Sequence, residues 1–148
     1  MTACANAPYR SSVILRNDLR EAERLTQWII AACAEAHIPE KTSFAVQLCL
    51  DEAVANILQY GEQHREQGGA ASAIAARLEY GPSGAVLDIE DDGGAFDPTR
   101  AASPAPVTTL ETLPVGGLGI HFIRQYSSRM EYSREGGRNR LRLTFAAP

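Results

Sequence analysis

Polar and apolar residues alternate from Ser11 to Arg16 around Val13 and Leu15, the period of a strand with one buried face. The period then changes. Leu19, Ala22, Leu25, Ile29, Ala32, Cys33 and Ala36 recur at helical spacing and predict an amphipathic helix. Asn17 is placed to cap it, and Asp18 and Glu21 fall in its first turn, where the helix dipole favours acids. Pro39 is placed to open a second helix, about Glu40 to Tyr60, and Gly61 to stop it. This helix is apolar around most of its circumference, which predicts burial. Strands follow at Ser72 to Tyr80 and Ala85 to Glu90, joined by the turn Gly81-Pro82-Ser83-Gly84. Leu118 to Tyr126 reads as a short apolar helix entered through glycines. Arg129 to Arg134 and Arg138 to Phe145 alternate about Glu135-Gly136-Gly137, a hairpin. Residues 97–116, with Pro98, Pro104, Pro106 and Pro114, keep neither period and predict a long loop. In a small domain such a loop is expected to be a lid, a binding loop or a disordered segment.

This order of elements predicts an α/β two-layer sandwich: a mixed, mostly antiparallel sheet with helices packed on one face. The length of 148 residues favours one domain, here 11–148, behind a loose tail at 1–10. Composition narrows the function classes. The longest apolar run, Trp28 to Ala34, is too short to cross a bilayer, so no membrane role is expected. No signal peptide is read at Met1 to Asn6, and Cys4, Cys33 and Cys49 cannot all pair and lack metal-type spacing. Both features suit a cytoplasmic protein. Net charge is −4, a poor match to nucleic-acid binding. Thirteen of the 14 basic residues are arginine, and six of these lie between Arg124 and Arg142, a run that reads as a solvated strand face. The single lysine, Lys41, excludes a P-loop and the usual protein-kinase strand lysine.

Three stretches carry chemistry. Glu52 and Asn56 stand four apart on the second helix, with Gln59 three further on, so they share one face of a largely apolar element. An isolated pair of this kind reads as a solvated helix edge. It equally suits a site in which an amide oxygen ligates Mg²⁺ and a carboxylate accepts a proton. Asp91-Asp92-Gly93-Gly94-Ala95-Phe96-Asp97-Pro98 ends a strand, and the chain then enters the long loop instead of returning. Glycines there let backbone approach a flat ligand, and a carboxylate there is placed to accept from a purine amine. Gly116-Gly117-Leu118-Gly119-Ile120 opens the short helix with free amides, a site for phosphate.

Together, in this order and with a loop between the second and third, these stretches resemble the GHKL-type ATP-binding fold of histidine kinases and gyrase-like ATPases. Within it the chain is most similar to the anti-sigma factor serine/threonine kinases of bacterial partner switching, from about residue 11 to 146. The resemblance implies that Glu52 is the catalytic base and that Asn56 holds Mg²⁺. It implies that Asp91 and Gly93 contact adenine, with Phe96-Asp97-Pro98 in the form of this branch, and that Gly117, Leu118 and Gly119 cradle the phosphates of ATP. Gly137-Arg138-Asn139 before the last strand fits the same branch.

The second glycine of the adenine motif is Ala95 here, and Val115 stands where some members carry a basic residue. The phosphoacceptor-histidine helix pair of a sensor kinase is lacking, and His37, His64 and His121 are scattered. The resemblance further implies a STAS-type anti-anti-sigma protein as phosphoacceptor, a sigma factor as the sequestered target, and a homodimer. Two alternatives stand beside it: a non-catalytic ATP- or partner-binding module of the same fold, and a nucleic-acid-binding α/β domain that uses the C-terminal arginines. The latter lacks stacking aromatics between those arginines.

Overall fold

The computed structural model describes residues 7–18, 20–63, 71–100 and 117–148. The first strand, β1 (Tyr9–Arg16), leads into two helices, α1 (Glu21–Glu35) and α2 (Glu40–Gln63). Then come β2 (Ala73–Gly81), β3 (Gly84–Asp91), a 3₁₀ turn at Pro98–Arg100, helix α3 (Gly117–Tyr126), and the hairpin of β4 (Arg129–Glu135) and β5 (Arg138–Ala146). Most of the loop expected at 97–116, and the first six residues of the expected tail, lie outside the described residues.

The five strands run in the order β1-β2-β3-β5-β4, and every pairing is antiparallel. The sheet is therefore not mixed. β5 inserts between β3 and β4, so the hairpin docks its second strand on β3 without any parallel neighbour. Strand alternation divides the sheet into two faces. Val13 and Leu15, Ile74, Ala76 and Leu78, Leu87 and Ile89, and Leu141, Leu143 and Phe145 all point to one face and form the core with the helices. α1 contributes Leu25, Ile29, Ala32 and Cys33 to that core. α2 contributes Val46, Cys49, Leu50 and Ala53, which explains why its sequence is apolar on so much of its surface.

Three local expectations change. β1 starts at Tyr9, not Ser11, because Tyr9 packs against the core and its hydroxyl donates to Glu35 Oε2 at 2.8 Å. Asn17 does not cap α1. Its Nδ2 donates to the Ala71 carbonyl at 2.8 Å, while Asp18 Oδ1 accepts from the Arg20 amide at 3.0 Å. Gly61 does not end α2; the helix runs on to Gln63 with Gly61 buried inside it. A helical glycine is disfavoured by about 1 kcal/mol, a cost small enough for the helix to carry.

Candidate functional site

Helix α2 presents Glu52 and Asn56 one turn apart on the side that faces α3. The contact is close. A Cβ on Gly119 would lie 2.7 Å from Glu52 Oε2 and 3.6 Å from Asn56 Nδ2, so only a residue without a side chain lets the start of α3 settle on this polar stripe undisturbed. Beneath it, one turn earlier on α2, the Cys49 thiol is pushed up to about 12 by burial and by the charge of Glu52, so it stays neutral. The apolar bulk of α2 and the glycine of α3 together give two polar side chains a fixed place at the edge of the core.

Asp91, the last residue of β3, is buried. It lies in a row across the sheet, Leu15–Ile74–Asp91–Asn139–Arg134, that passes from apolar at β1 to charged at β4. Asp91 Oδ1 accepts from the Gly93 amide at 2.9 Å and from Asn139 Nδ2 at 3.1 Å. Its other oxygen has no hydrogen-bond partner among the described residues. Burial pushes the Asp91 carboxyl up, against the Asn139 amide and the Gly93 N–H that favour its ionised form; the neighbouring charge of Asp92 adds to the rise and Arg134 opposes it. Asp92 itself turns away and accepts from the backbone amides of Ser72 and Ala73 at 2.7 and 3.2 Å.

A mostly apolar cleft of about 490 Å³, counting the space open to solvent, has Asn56, Ile57, Ile89, Asp91, Ile123 and Leu141 in its walls. Phe96 stacks on Tyr60 with ring centres 4.6 Å apart and an interplanar angle of 29°. The Tyr60 hydroxyl donates to the Ala95 carbonyl at 3.1 Å, which fixes the segment after β3 against α2. That segment then closes as an Asx turn. Asp97 Oδ1 accepts from the Thr99 amide at 2.9 Å and from its hydroxyl at 2.5 Å.

The sequence-derived candidates thus come near one another from three separate stretches of the chain. Asn56, Asp91 and Phe96 line the cleft; Glu52 and Gly119 adjoin it beside Asn56, and Gly93 is joined to Asp91 by its amide. Gly117 is the first residue of α3; the surroundings of Gly117 and Leu118 lie outside what is described. Sequence reasoning did not reach Tyr60, Tyr132 or Arg134, and took Asn139 only as part of a motif. Tyr132 and Asn139 both line the cleft. The usable signal was the β4–β5 hairpin itself, whose glycine turn pairs Arg134 with Asn139 and aligns Tyr132 on the same face.

The cleft is mostly apolar, with one buried carboxylate, Asp91, and one amide, Asn56, in its walls, the latter beside the start of α3. The histidine kinase-like ATPase domain matches this chain over residues 15–145. The chain belongs to that family. A histidine kinase-like ATPase domain is an α+β ATP-binding unit, and the five-stranded antiparallel sheet with its helices on one face fits it. The chain is also similar to the serine/threonine-protein kinase BtrW of Bordetella bronchiseptica, with 36% identity over 101 residues, or 68% of each chain. Among the described residues no helix is long and apolar enough to cross a membrane.

A divalent cation also fits the donors beside the start of α3. Among the described residues no three His, Cys, Asp or Glu side chains cluster as a metal cage. The Asn56 amide offers one hard oxygen donor there, with the Glu52 carboxylate one turn away. Such a set suits Mg²⁺, which keeps waters and takes its remaining ligands from phosphates.

Proposed function

We propose that this protein is an ATP-dependent serine/threonine kinase of the anti-sigma type, cytoplasmic and homodimeric. It would phosphorylate a STAS-type anti-anti-sigma protein and sequester a sigma factor when that protein is not competing. The observation that carries the reading is the packing of Gly119 onto Glu52 and Asn56 beside a cleft that Asn56 and Asp91 both line. The named relative, a serine/threonine-protein kinase, supports the reaction class.

In this reading the free oxygen of Asp91 accepts from the adenine amine, and Gly93 gives the base room. Phe96, held by its stack on Tyr60, covers one side of the cleft. The amides at the start of α3, from Gly117 through Leu118 to Gly119, meet the phosphates at the positive end of a helix. Asn56 would hold Mg²⁺, which neutralises phosphate charge when bound. Glu52 accepts the proton of the incoming serine or threonine hydroxyl as its oxygen bonds to the γ-phosphorus and the bond to the ADP oxygen breaks. Positioning and charge carry most of phosphoryl transfer, and a base adds about 10²–10⁴-fold.

Glu52→Gln keeps size and polarity but removes the proton acceptor. The expected result is near-normal ATP affinity with transfer down by about 10²-fold or more. Asn56→Ala weakens binding of Mg·ATP as well. The measurement is radiolabelled phosphate transfer to an anti-anti-sigma protein encoded beside this one, with nucleotide affinity for each variant. Wild-type transfer by Glu52→Gln overturns the base assignment. ATP binding by the native protein with no transfer to any acceptor makes it a binding module.

A further inference from the structure

The carboxylate of Asp91 is set by an amide, and that amide is set from the far edge of the sheet. Asn139 is buried, with 6% of its surface exposed, so its amide must be satisfied from within the protein. Its Nδ2 donates to Asp91 Oδ1 at 3.1 Å and to the Gly94 carbonyl at 2.8 Å. Its Oδ1 accepts from the Tyr132 hydroxyl at 2.5 Å and from Arg134 Nη1 at 2.9 Å. Both lone pairs of the carbonyl are used. Arg134 Nη1 also donates to the Gly93 carbonyl at 3.0 Å, so one guanidinium holds the amide and the glycine turn together. Turned by half a circle, the Asn139 amide would set its N–H groups against two donors and its oxygen against a carboxylate and a carbonyl. The two β4 side chains therefore decide which way it points.

We infer that Arg134 and Tyr132, on the edge strand β4, are positioning residues for ATP recognition: they lock the Asn139 amide so that Asp91 turns its second oxygen to the cleft. Arg134 acts without lining the cleft, and Tyr132, which lines it, acts on Asp91 through Asn139. The inference rests on the proposed role of Asp91 toward adenine and adds a control point 40 residues further along the chain. It also gives a use to one of the C-terminal arginines that the charge pattern marks as merely solvated. Arg134 makes no ion pair within 4 Å among the described residues, so its positive charge is directed to Asn139, Gly93 and, at longer range, Asp91.

Several charged and titratable groups surround Asp91. Glu90 and Asp92 adjoin it in the chain, Arg138 of β5 shares a second hollow with all three, Arg134 and Tyr132 face it from β4, and Tyr60 borders the cleft from α2. Loss of the Arg134 charge raises the pH at which Asp91 takes up a proton. A protonated Asp91 is a poorer acceptor, so affinity for ATP falls from a higher pH downward. A residue that only stiffened the hairpin would weaken binding equally at every pH.

The test is calorimetry of Mg·ATP binding from pH 5 to 8 for the native protein, Arg134→Met, Arg134→Lys, Tyr132→Phe and Asp91→Asn, with thermal melts as the check on folding. Arg134 is exposed and Tyr132→Phe is conservative, so both variants should keep the fold. Arg134→Met is expected to bind about 10-fold more weakly at neutral pH, with its acid limb moved to higher pH. Arg134→Lys keeps the charge and restores the limb but only part of the affinity, because a lysine lacks the planar fork. Tyr132→Phe should lose about 3-fold. Native binding by Arg134→Met at every pH, while Asp91→Asn loses ATP, overturns the positioning role and leaves the adenine site standing. A pH-independent loss overturns it too. Native binding by Asp91→Asn removes adenine recognition from Asp91, and this inference with it.

Discussion

Asp88 and Asp91 lie three residues apart on the same strand, are almost equally buried at 7% and 8% exposure, and face opposite sides of the sheet. On the outer side, Asp88 sits in a row with Arg77 of β2 and Arg142 of β5. Arg142 grips it with two nearly parallel bonds of 2.8 and 3.0 Å, and Arg140 and Arg77 approach to 3.4 and 3.6 Å. Burial alone would raise its pKa, yet Arg142 and Arg140 together hold the carboxyl below the usual range. On the inner side, Asp91 has neutral amides for neighbours, an open oxygen, and a raised pKa. The difference separates two uses of a buried carboxylate. One ringed by guanidiniums has its valences filled and holds strands together. One supported by amides keeps unspent acceptor capacity, which a ligand can use.

The sharpest way to break this comparison is to neutralise each in turn. Asp91→Asn should lose ATP affinity by about 1–3 kcal/mol, the effect of turning an acceptor into a donor, with thermal stability kept or raised. Asp88→Asn should do the reverse, leaving ATP affinity intact while costing about 1–2 kcal/mol of stability. That figure is set below the 3–5 kcal/mol of a fully buried pair because the Arg142, Arg140 and Arg77 side chains are 44%, 37% and 53% exposed and can turn to water. Calorimetry and denaturant melts of both variants decide it. A loss of ATP affinity in Asp88→Asn would mean that the faces are coupled.

Acid offers a second route. The depressed pKa of Asp88 contributes stability that is present above its ordinary value of 3.8 and is lost as pH falls below that through the folded value. The raised pKa of Asp91 has the opposite sign: a penalty develops as pH climbs from 3.8 through the folded value and is complete above it. Thermal melts between pH 3 and 7 should therefore show Asp88→Asn losing less stability in acid than the native protein. Any gain in Asp91→Asn should be present near neutrality and fade toward pH 3.8. The smallest expected effect distinguishes the arginines. Arg142→Met removes the paired bonds and should cost about 1 kcal/mol, whereas Arg77→Met should cost under about 0.5 kcal/mol. Equal losses would mean that charge alone, not geometry, holds Asp88.

The sequence carried the elements well because their periods are clean: β5 alternates strictly, and α1 keeps one stripe. It carried the three motif clusters too, since each lies within a few consecutive residues. Sheet order was out of reach, because nothing local to β5 says that it inserts between β3 and β4. The antiparallel character of the whole sheet depends on that insertion. Asn17 and Gly61 misled for a related reason. Each has a strong local preference, for a cap and a stop; a partner distant in the chain overrides the first, and the helix carries the small cost of the second. The arginine run shows the same limit. Arg140 and Arg142 do lie on the outer face as alternation requires, but what they surround, Asp88, is more than 50 residues away. Arg134 points inward to Asn139 and Gly93.

The row Leu15–Ile74–Asp91–Asn139–Arg134 behaves like a reading frame laid across the sheet instead of along the chain. Single substitutions alter one letter of it; a one-residue deletion inside β3 alters the phase. Such a deletion would turn Glu90 and Asp88 toward the helices and Asp91 toward the arginines, exchanging the two carboxylate environments at once. Gly84 guards the phase at the β2–β3 turn, since its φ of +121° and the nearby Phe145 carbonyl, 2.1 Å from where a Cβ would stand, leave room for no other residue. At the open turn of Gly136 and Gly137 an added Cβ would meet nothing within 4 Å, so only the φ of +59° and +74° constrains it and no packing does. Length variation in this lineage should therefore gather at the second turn and be rare at the first.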